Sequence, residues 1–435
     1  MKILYLVVLV FMTACTVRND DKFYMPAEWE PHDAIWLGWE DDQLQYRPAV
    51  IKIIKALKQH VKIKVAVSGD SLMRVAKKYL QEERIDSSEL QFYNMNGDRY
   101  WIRDHGATFL LNGKGQLAVA NFGWNRYGYP GWLETKYNNN MDSVSKYLKQ
   151  HEANTKLTGA VDSLMAIAES ASILRTDVKH EGGATEVNGK GTLILNEATV
   201  FQRNPSLSKE EIELEFKRVL GVTNIIWMKK GLADDPLHFF RRIVGNYVGG
   251  GTGGHTDEFV RFANATTILL AWIDESEKDM NPINQMNYAR MNENLKILED
   301  ARDQDGHPFK IVKVPLPDLI VKKITAKEHY DSKADAPSPF LKPSYFAAME
   351  APMEGDTLFR VPASSYLNYL ITNGVVLLPT YTAAGSSADK ENEVKRIFQE
   401  QFPGREIVFI DAMPQNWQGG GIHCSTQQQP KKLSP

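Results

Sequence analysis

Apolar residues recur along this chain with two different periods. Ser71 to Gln81, Lys209 to Leu220 and Lys390 to Gln401 carry them at helical spacing and predict amphipathic helices. Each is followed by a short run of β-formers, Leu90 to Tyr93, Asn224 to Met228 and Glu406 to Ile410, which predicts a strand. Pro403-Gly404 marks the stop of the last helix. Ala34 to Trp39, Lys62 to Val67 and Val375 to Tyr381 read as further strands. Helix and strand alternating in this way predict an α/β fold.

A longer repeat is superimposed on that alternation. Asp104-His-Gly-Ala-Thr-Phe-Leu-Leu-Asn-Gly-Lys-Gly-Gln-Leu117 nearly matches Glu181-Gly-Gly-Ala-Thr-Glu-Val-Asn-Gly-Lys-Gly-Thr-Leu193. Both set an acid before a hairpin, with Asn112-Gly113 and Asn188-Gly189 as the expected positive-φ turn residues. A third acid, Asp257 in Gly253-Gly-His255-Thr-Asp257, follows at nearly the same interval and leads into β-like sequence, Phe259 to Phe262 and Thr266 to Trp272. A recurring interval signals repeated modules, each delivering a polar residue to one place. Leu232 to Tyr247 and Lys327 to Thr357 interrupt the pattern and read as insertions, either lids or binding loops or solvated surface excursions.

Residues 23–430 contain no low-complexity linker and read as one catalytic domain, with 431–435 as a disordered tail. Before them, Lys2 precedes an apolar run from Ile3 to Met12 that ends in Met12-Thr-Ala-Cys15. The run is too short to span a bilayer as a helix and resembles a bacterial lipoprotein signal. Residues 1–14 are then a signal peptide, Cys15 the lipidated residue, and 15–22 a tether. Residue 16 is threonine, so no aspartate retention signal follows Cys15. This places the chain in the bacterial cell envelope, on the periplasmic or outer-membrane face, touching the membrane through its anchor alone.

With 51 basic and 54 acidic residues, nothing draws the chain to nucleic acid, and a small or locally recognised substrate fits better. Homo-oligomerisation is left open. Cys424 is the second of two cysteines, and with Cys15 lipidated it has no disulfide mate. Its setting, Gly419-Gly-Gly-Ile-His-Cys424-Ser-Thr-Gln-Gln-Gln-Pro430, is unlike core sequence and marks it as a nucleophile.

Three acids in matching register suit a planar cation. Carboxylates accepting paired N–H bonds hold a guanidinium in plane, a thiolate attacks its carbon, and a histidine shuttles protons. His255 stands two residues before Asp257, so both face one side of an extended segment. His423 adjoins Cys424 and points away from it in a strand. No Cys-x-x-Cys or His-Glu-x-x-His occurs, and Gly249 to Gly254 lacks the Walker Lys-Ser/Thr ending, so neither a metal nor another cofactor is expected.

Together, Met25-Pro-Ala-Glu-Trp-Glu-Pro-His32, Trp101-Ile-Arg-Asp-His-Gly106, Glu181-Gly-Gly183, Gly253-Gly-His-Thr-Asp257 and the Cys424 segment resemble the agmatine deiminase and bacterial peptidylarginine deiminase group of the pentein superfamily. The resemblance implies a five-module α/β propeller with pseudo-fivefold repeats around a central site. It also implies a covalent thiouronium on Cys424, with His255 as acid and base, Asp104 and Asp257 as clamps, Glu181 as a further acid and Trp101 as an aromatic wall. Arg126, Thr252 and Gly421 are its substrate-binding positions. The ligand it implies is a guanidinium-bearing small molecule or an arginine peptide. Phe122-Gly-Trp-Asn-Arg126-Tyr-Gly128 keeps one of the two arginines with which peptidylarginine enzymes grip a terminal carboxylate, whereas Thr252 is similar to the agmatine enzymes. Two other readings compete: a papain-like cysteine peptidase, against which the cysteine-last order argues, and a guanidinium-binding lipoprotein without turnover.

Overall fold

Strand pairing repeats along the chain in the computed structural model, which describes residues 21–39, 43–97, 100–330 and 338–432. Cys15, the signal peptide and residues 433–435 lie outside the described residues. The fold is mixed α/β. Among the described residues there are six sheets, and none closes on itself. Four have three strands in which the first two pair antiparallel and the third joins parallel. Thr108–Leu111, Leu117–Gly123 and Ser172–Lys179 make one such sheet. A fifth follows the same rule across the chain ends, because Thr426–Pro430 pairs antiparallel with His32–Trp39, which runs parallel to Lys62–Val67.

The predicted strand Lys62–Val67 and the strands Asn224–Met228 and Glu406–Ile410 form over those bounds, as does the helix Lys209–Leu220. That helix shows why. Ser208 and Glu211 close a reciprocal capping box, Gly221 ends the helix at φ +66°, and Ile212, Phe216, Val219 and Leu220 form its buried stripe. Burying each of these contributes roughly 1.5–3 kcal/mol.

Three local expectations change. In the first hairpin the positive φ falls on Gly115 rather than Asn112 or Gly113; the Asn112 carboxamide instead accepts from the amides of Lys114 and Gln116. In the second, Gly189 and Gly191 both take positive φ around the matching Asn188 turn. Phe259 ends a helical turn, Thr256–Phe259, and the strand begins at Val260. The two insertions meet in the sixth sheet. Leu237–Val244 and Tyr247–Thr252 form a hairpin there, Thr357–Val361 joins it in parallel, and Lys322–Ala326 and Phe340–Leu341 complete it.

Candidate active site

Each sequence-predicted acid sits on or beside a single helical turn that leads into a hairpin. These turns are Ile102–His105, Gly182–Ala184 and Thr256–Phe259. Cys424 enters from the loop between Met413–Asn416 and the strand Thr426–Pro430, and its carbonyl accepts from the amide of Arg103 at 3.2 Å. The thiol is only 2% exposed, which corrects the expectation that it lies outside the core. Its surroundings are nonetheless polar. Asn368 Nδ2 donates to Sγ at 3.1 Å, and Sγ lies 3.5 Å from Asp257 Oδ2.

Asp104, Asp257 and His255 converge beside that thiol. His255 Nδ1 is 3.6 Å from Asp104 Oδ1. A Cβ added to Gly183 would stand 2.6 Å from His255 Nδ1, 2.8 Å from Asp104 Oδ1 and 3.0 Å from Asp257 Oδ2, so all three ring one point that only glycine leaves open. His255 caps the helical turn that carries Asp257; they converge through that turn, not through the extended segment expected. Tyr127 donates to Asp104 Oδ2 at 2.9 Å. Among the described residues, His255 Nδ1 and Asp257 Oδ1 are buried without a hydrogen-bond partner. The open Asp257 oxygen suits a ligand that supplies N–H groups.

Supporting residues that the sequence did not single out fix these positions. Glu181 Oε2 faces His255 Nε2 at 3.3 Å, and Arg203 Nε donates to both Glu181 oxygens at 3.2 Å. Asp235 accepts from the amides of Thr252, Gly253, Gly254 and His255 and from Thr252 Oγ1, so one carboxylate holds the turn before the histidine. His423 and Cys424 lie in a turn rather than the strand expected; His423 bridges Asp257 Oδ2, the oxygen nearest the thiol, at 2.8 Å and Glu28 Oε1 at 2.9 Å. Arg203 and Asp235 lie outside every repeated segment, and Asn368 lies just before Asn373-Gly374. That pair, the counterpart of Asn112-Gly113 ahead of a strand, is the one signal that points to Asn368.

The charge balance follows from burial and neighbours. Burial raises the Cys424 thiol well above its ordinary range, and Asp257, Glu258 and Asp104 push it the same way. Burial also raises Asp104 and, with Asp257 beside it, raises Glu258 well above the usual carboxyl range. For His255 burial opposes the charge, but Asp104 and Glu181 outweigh it and carry the imidazole up to about 9. Glu181 is pushed up by burial, yet Arg203 and His255 bring it down to about 2. The site at neutral pH thus holds an imidazolium and a neutral thiol.

A cavity opens onto Cys424 between Trp101, Asp104, Tyr127, Gly251, Thr252, Gln418, Gly419 and Gly420. Trp101 and Tyr127 also border an outer cavity of about 290 Å³, where Arg126 sits with His105 and His151. Arg126 stacks on Tyr129, its guanidinium carbon 4.7 Å from the ring centroid. Thr252 lines the inner wall, with its hydroxyl held by Asp235 at 2.8 Å. Gly421 packs on Asn368, whose Oδ1 would lie 2.5 Å from an added Cβ, while Gly419 and Gly420 line the cavity. Gly420 faces the Trp101 indole, 2.6 Å from an added Cβ. Gly249 to Gly254 runs from the end of a strand into a bend, and Gly251, which lines the cavity, is fitted against Asp235. The donor atoms of Asp257, Glu258 and Cys424 lie within 4.8 Å of one another.

Over residues 24–430 the chain matches the family of Porphyromonas-type peptidyl-arginine deiminases. It is 30% identical over 420 residues to an agmatine deiminase of Pseudomonas fluorescens, covering 94% of this chain and 96% of that protein. An agmatine deiminase of Stutzerimonas stutzeri is 29% identical over 429 residues, covering 96% and 98%. Among solved structures, agmatine deiminase of Enterococcus faecalis superposes with a TM-score of 0.69 at 25% identity, covering 94% and 96%. That of C. jejuni gives 0.62 at 18%, covering 95% and 98%, a likeness of fold. The class these relationships and the site define is a carbon–nitrogen hydrolase that modifies guanidino groups. The chain belongs to the Porphyromonas-type peptidyl-arginine deiminase family.

Proposed function

We propose that the protein deiminates a guanidinium substrate through a thiouronium on Cys424. The observation that carries this reading is the convergence of Asp104, Asp257 and His255 on one point beside the thiol. A guanidinium there gives its N–H groups to the two aspartates, including the open Asp257 Oδ1. Its positive charge offsets the repulsion that keeps the thiol neutral, so with substrate bound the thiol gives its proton to solvent and the thiolate forms. Sγ attacks the central carbon, His255 protonates one NH2, and ammonia leaves. His255 then takes a proton from water, the water oxygen adds to the thiouronium carbon, and the carbon–sulfur bond breaks as the added hydroxyl returns its proton to the sulfur. The net reaction consumes one water and yields a ureido product and ammonium. Glu181, itself held by Arg203, orients the imidazole. Trp101 walls the channel.

Agmatine is the substrate favoured by the sequence relatives, with N-carbamoylputrescine as product. A second reading rests on Arg126 in the outer cavity, a cation suited to the carboxylate of free arginine or of an arginine peptide, with citrulline as product. A papain-like pair gains no support, because the hydrogen-bond partners of Cys424 Sγ among the described residues are Asn368 and Asp257 rather than an imidazole. The five sheets of common pairing suit the five blades of a pentein propeller, and the Met12-Thr-Ala-Cys15 segment suits a lipid anchor in the bacterial envelope. The test is a panel of agmatine, arginine and arginine peptides, scored for ammonia and ureido product. Ammonia release that persists in Cys424→Ala refutes the nucleophile, and silence across the panel refutes deimination.

A further inference from the structure

Gly251 and Thr252 line the cavity at Cys424, and the next two residues, Gly253 and Gly254, line a different one of about 250 Å³. Its charge is one-sided. Lys230, Arg241, Arg242 and Arg290 face it, against the single carboxylate of Asp235. That carboxylate is already occupied by the amides of Thr252, Gly253, Gly254 and His255. Arg241 is neutralised by Glu350, and Arg242 donates to the carbonyls of Glu350 and Gly245. The other two cations keep donors free for a ligand. Among the described residues the Lys230 ammonium has no hydrogen-bond or ion-pair partner. Arg290, half-buried, gives Nη1 to the Gly231 carbonyl at 3.0 Å, and among the described residues Nε and Nη2 have no partner. Burial draws this guanidinium down, with Asp234 and Asp235 opposing, so its charge is partly desolvated without a direct counter-ion.

We infer that this cavity is a binding site for a small oxyanion, such as phosphate or a short carboxylate, held by Arg290 and Lys230. The free N–H groups of a planar guanidinium match two oxygens of such an anion, and a lysine supplies the second charge. Glycine backbone along the wall allows close approach. The site touches the catalytic turn: Arg290 holds the Gly231 carbonyl, and Gly231 packs on Gly254, whose Cα would lie 2.5 Å from an added Cβ.

Titration calorimetry of the full chain with inorganic phosphate, at constant ionic strength against chloride, tests this directly. Saturable binding at one site is expected, weakened about tenfold or more in Arg290→Gln by loss of a charged hydrogen-bond pair. Lys230 is exposed, so Lys230→Gln leaves the fold intact and is expected to weaken binding several-fold. Arg126→Gln, in the other cavity, is expected to leave it unchanged. Heat that does not saturate, affinity equal to wild type in both cavity variants, or loss in Arg126→Gln instead would overturn the assignment.

Discussion

The thiol of Cys424 rests on the protonated side of its titration because it is buried among carboxylates, and that has a direct spectroscopic consequence. Thiolate absorbance near 240 nm in the substrate-free protein is expected to rise only above the free-thiol range near about 8.5. Burial is the largest cause and Asp257 the next, so Asp257→Asn lowers the midpoint. A midpoint unmoved by that change would show that Asp257 is not in electrostatic contact with the sulfur. His255 makes the opposite statement about pH. Its folded value, about 9, lies above the ordinary 6.5, so its contribution to stability is complete below about pH 6.5 and is lost as pH rises through 9. The melting temperature is expected to fall across that interval, and less steeply in His255→Gln. Parallel slopes in the two proteins would contradict the assignment. Both residues were singled out in the sequence; the shifts were not, because they arise from burial and from carboxylates that folding gathers from separate segments, Asp104 and Glu181 beside His255 and Asp257, Glu258 and Asp104 beside Cys424.

At the scale of elements, the site is assembled from turns whose backbone is held by single side chains. Asp235 satisfies four amides of the turn entering His255, and its removal leaves buried donors without acceptors. At about 1–3 kcal/mol per lost partner, Asp235→Ala is expected to lower stability by several kcal/mol in denaturant titration. It is also expected to reduce kcat more than it raises KM, since His255 moves while the aspartate clamps remain. Gly183→Ala tests the neighbouring turn. Its methyl would enter the point shared by His255, Asp104 and Asp257. A displacement of about 1 Å at a reacting centre costs roughly a hundredfold, and a kcat within a factor of two of wild type would show the point is not where substrate binds. The helical turns themselves are too short to leave a periodic signal. This explains why an extended His255–Asp257 segment was expected where a capped turn formed.

Across the whole molecule, one buried network ties the chain ends to the middle. Glu28, from the first motif, binds Arg103 at 3.2 Å, His423 at 2.9 Å and Gln428 at 3.0 Å, and also pairs with Arg261. Burial opposes its charge, but His423, Arg261 and Arg103 outweigh this and hold it well below the usual carboxylate range. Breaking a buried ion network from one side costs about 3–5 kcal/mol. Glu28→Ala is therefore expected to lower the unfolding free energy by that amount, and activity with it as His423 loses its hold. A loss below about 1 kcal/mol would mean that Glu28 does not join the chain ends.

Local order was legible in the amino-acid sequence. The helix Lys209–Leu220 follows from its cap and apolar stripe, and Asp104, Glu181 and Asp257 are marked by the hairpins that follow them. Cys424 stands out through its segment. These features depend on neighbours a few residues apart, so one chain displays them. Tertiary structure alone decided which groups complete the site: Asn368 on the thiol, Arg203 on Glu181, Asp235 beneath the turn and Glu28 behind His423. It also packed Gly421 against Asn368 and joined the two insertions into one sheet. The physical reason is the same in each case: a buried polar group takes whichever partner the packing brings to it, however distant in sequence.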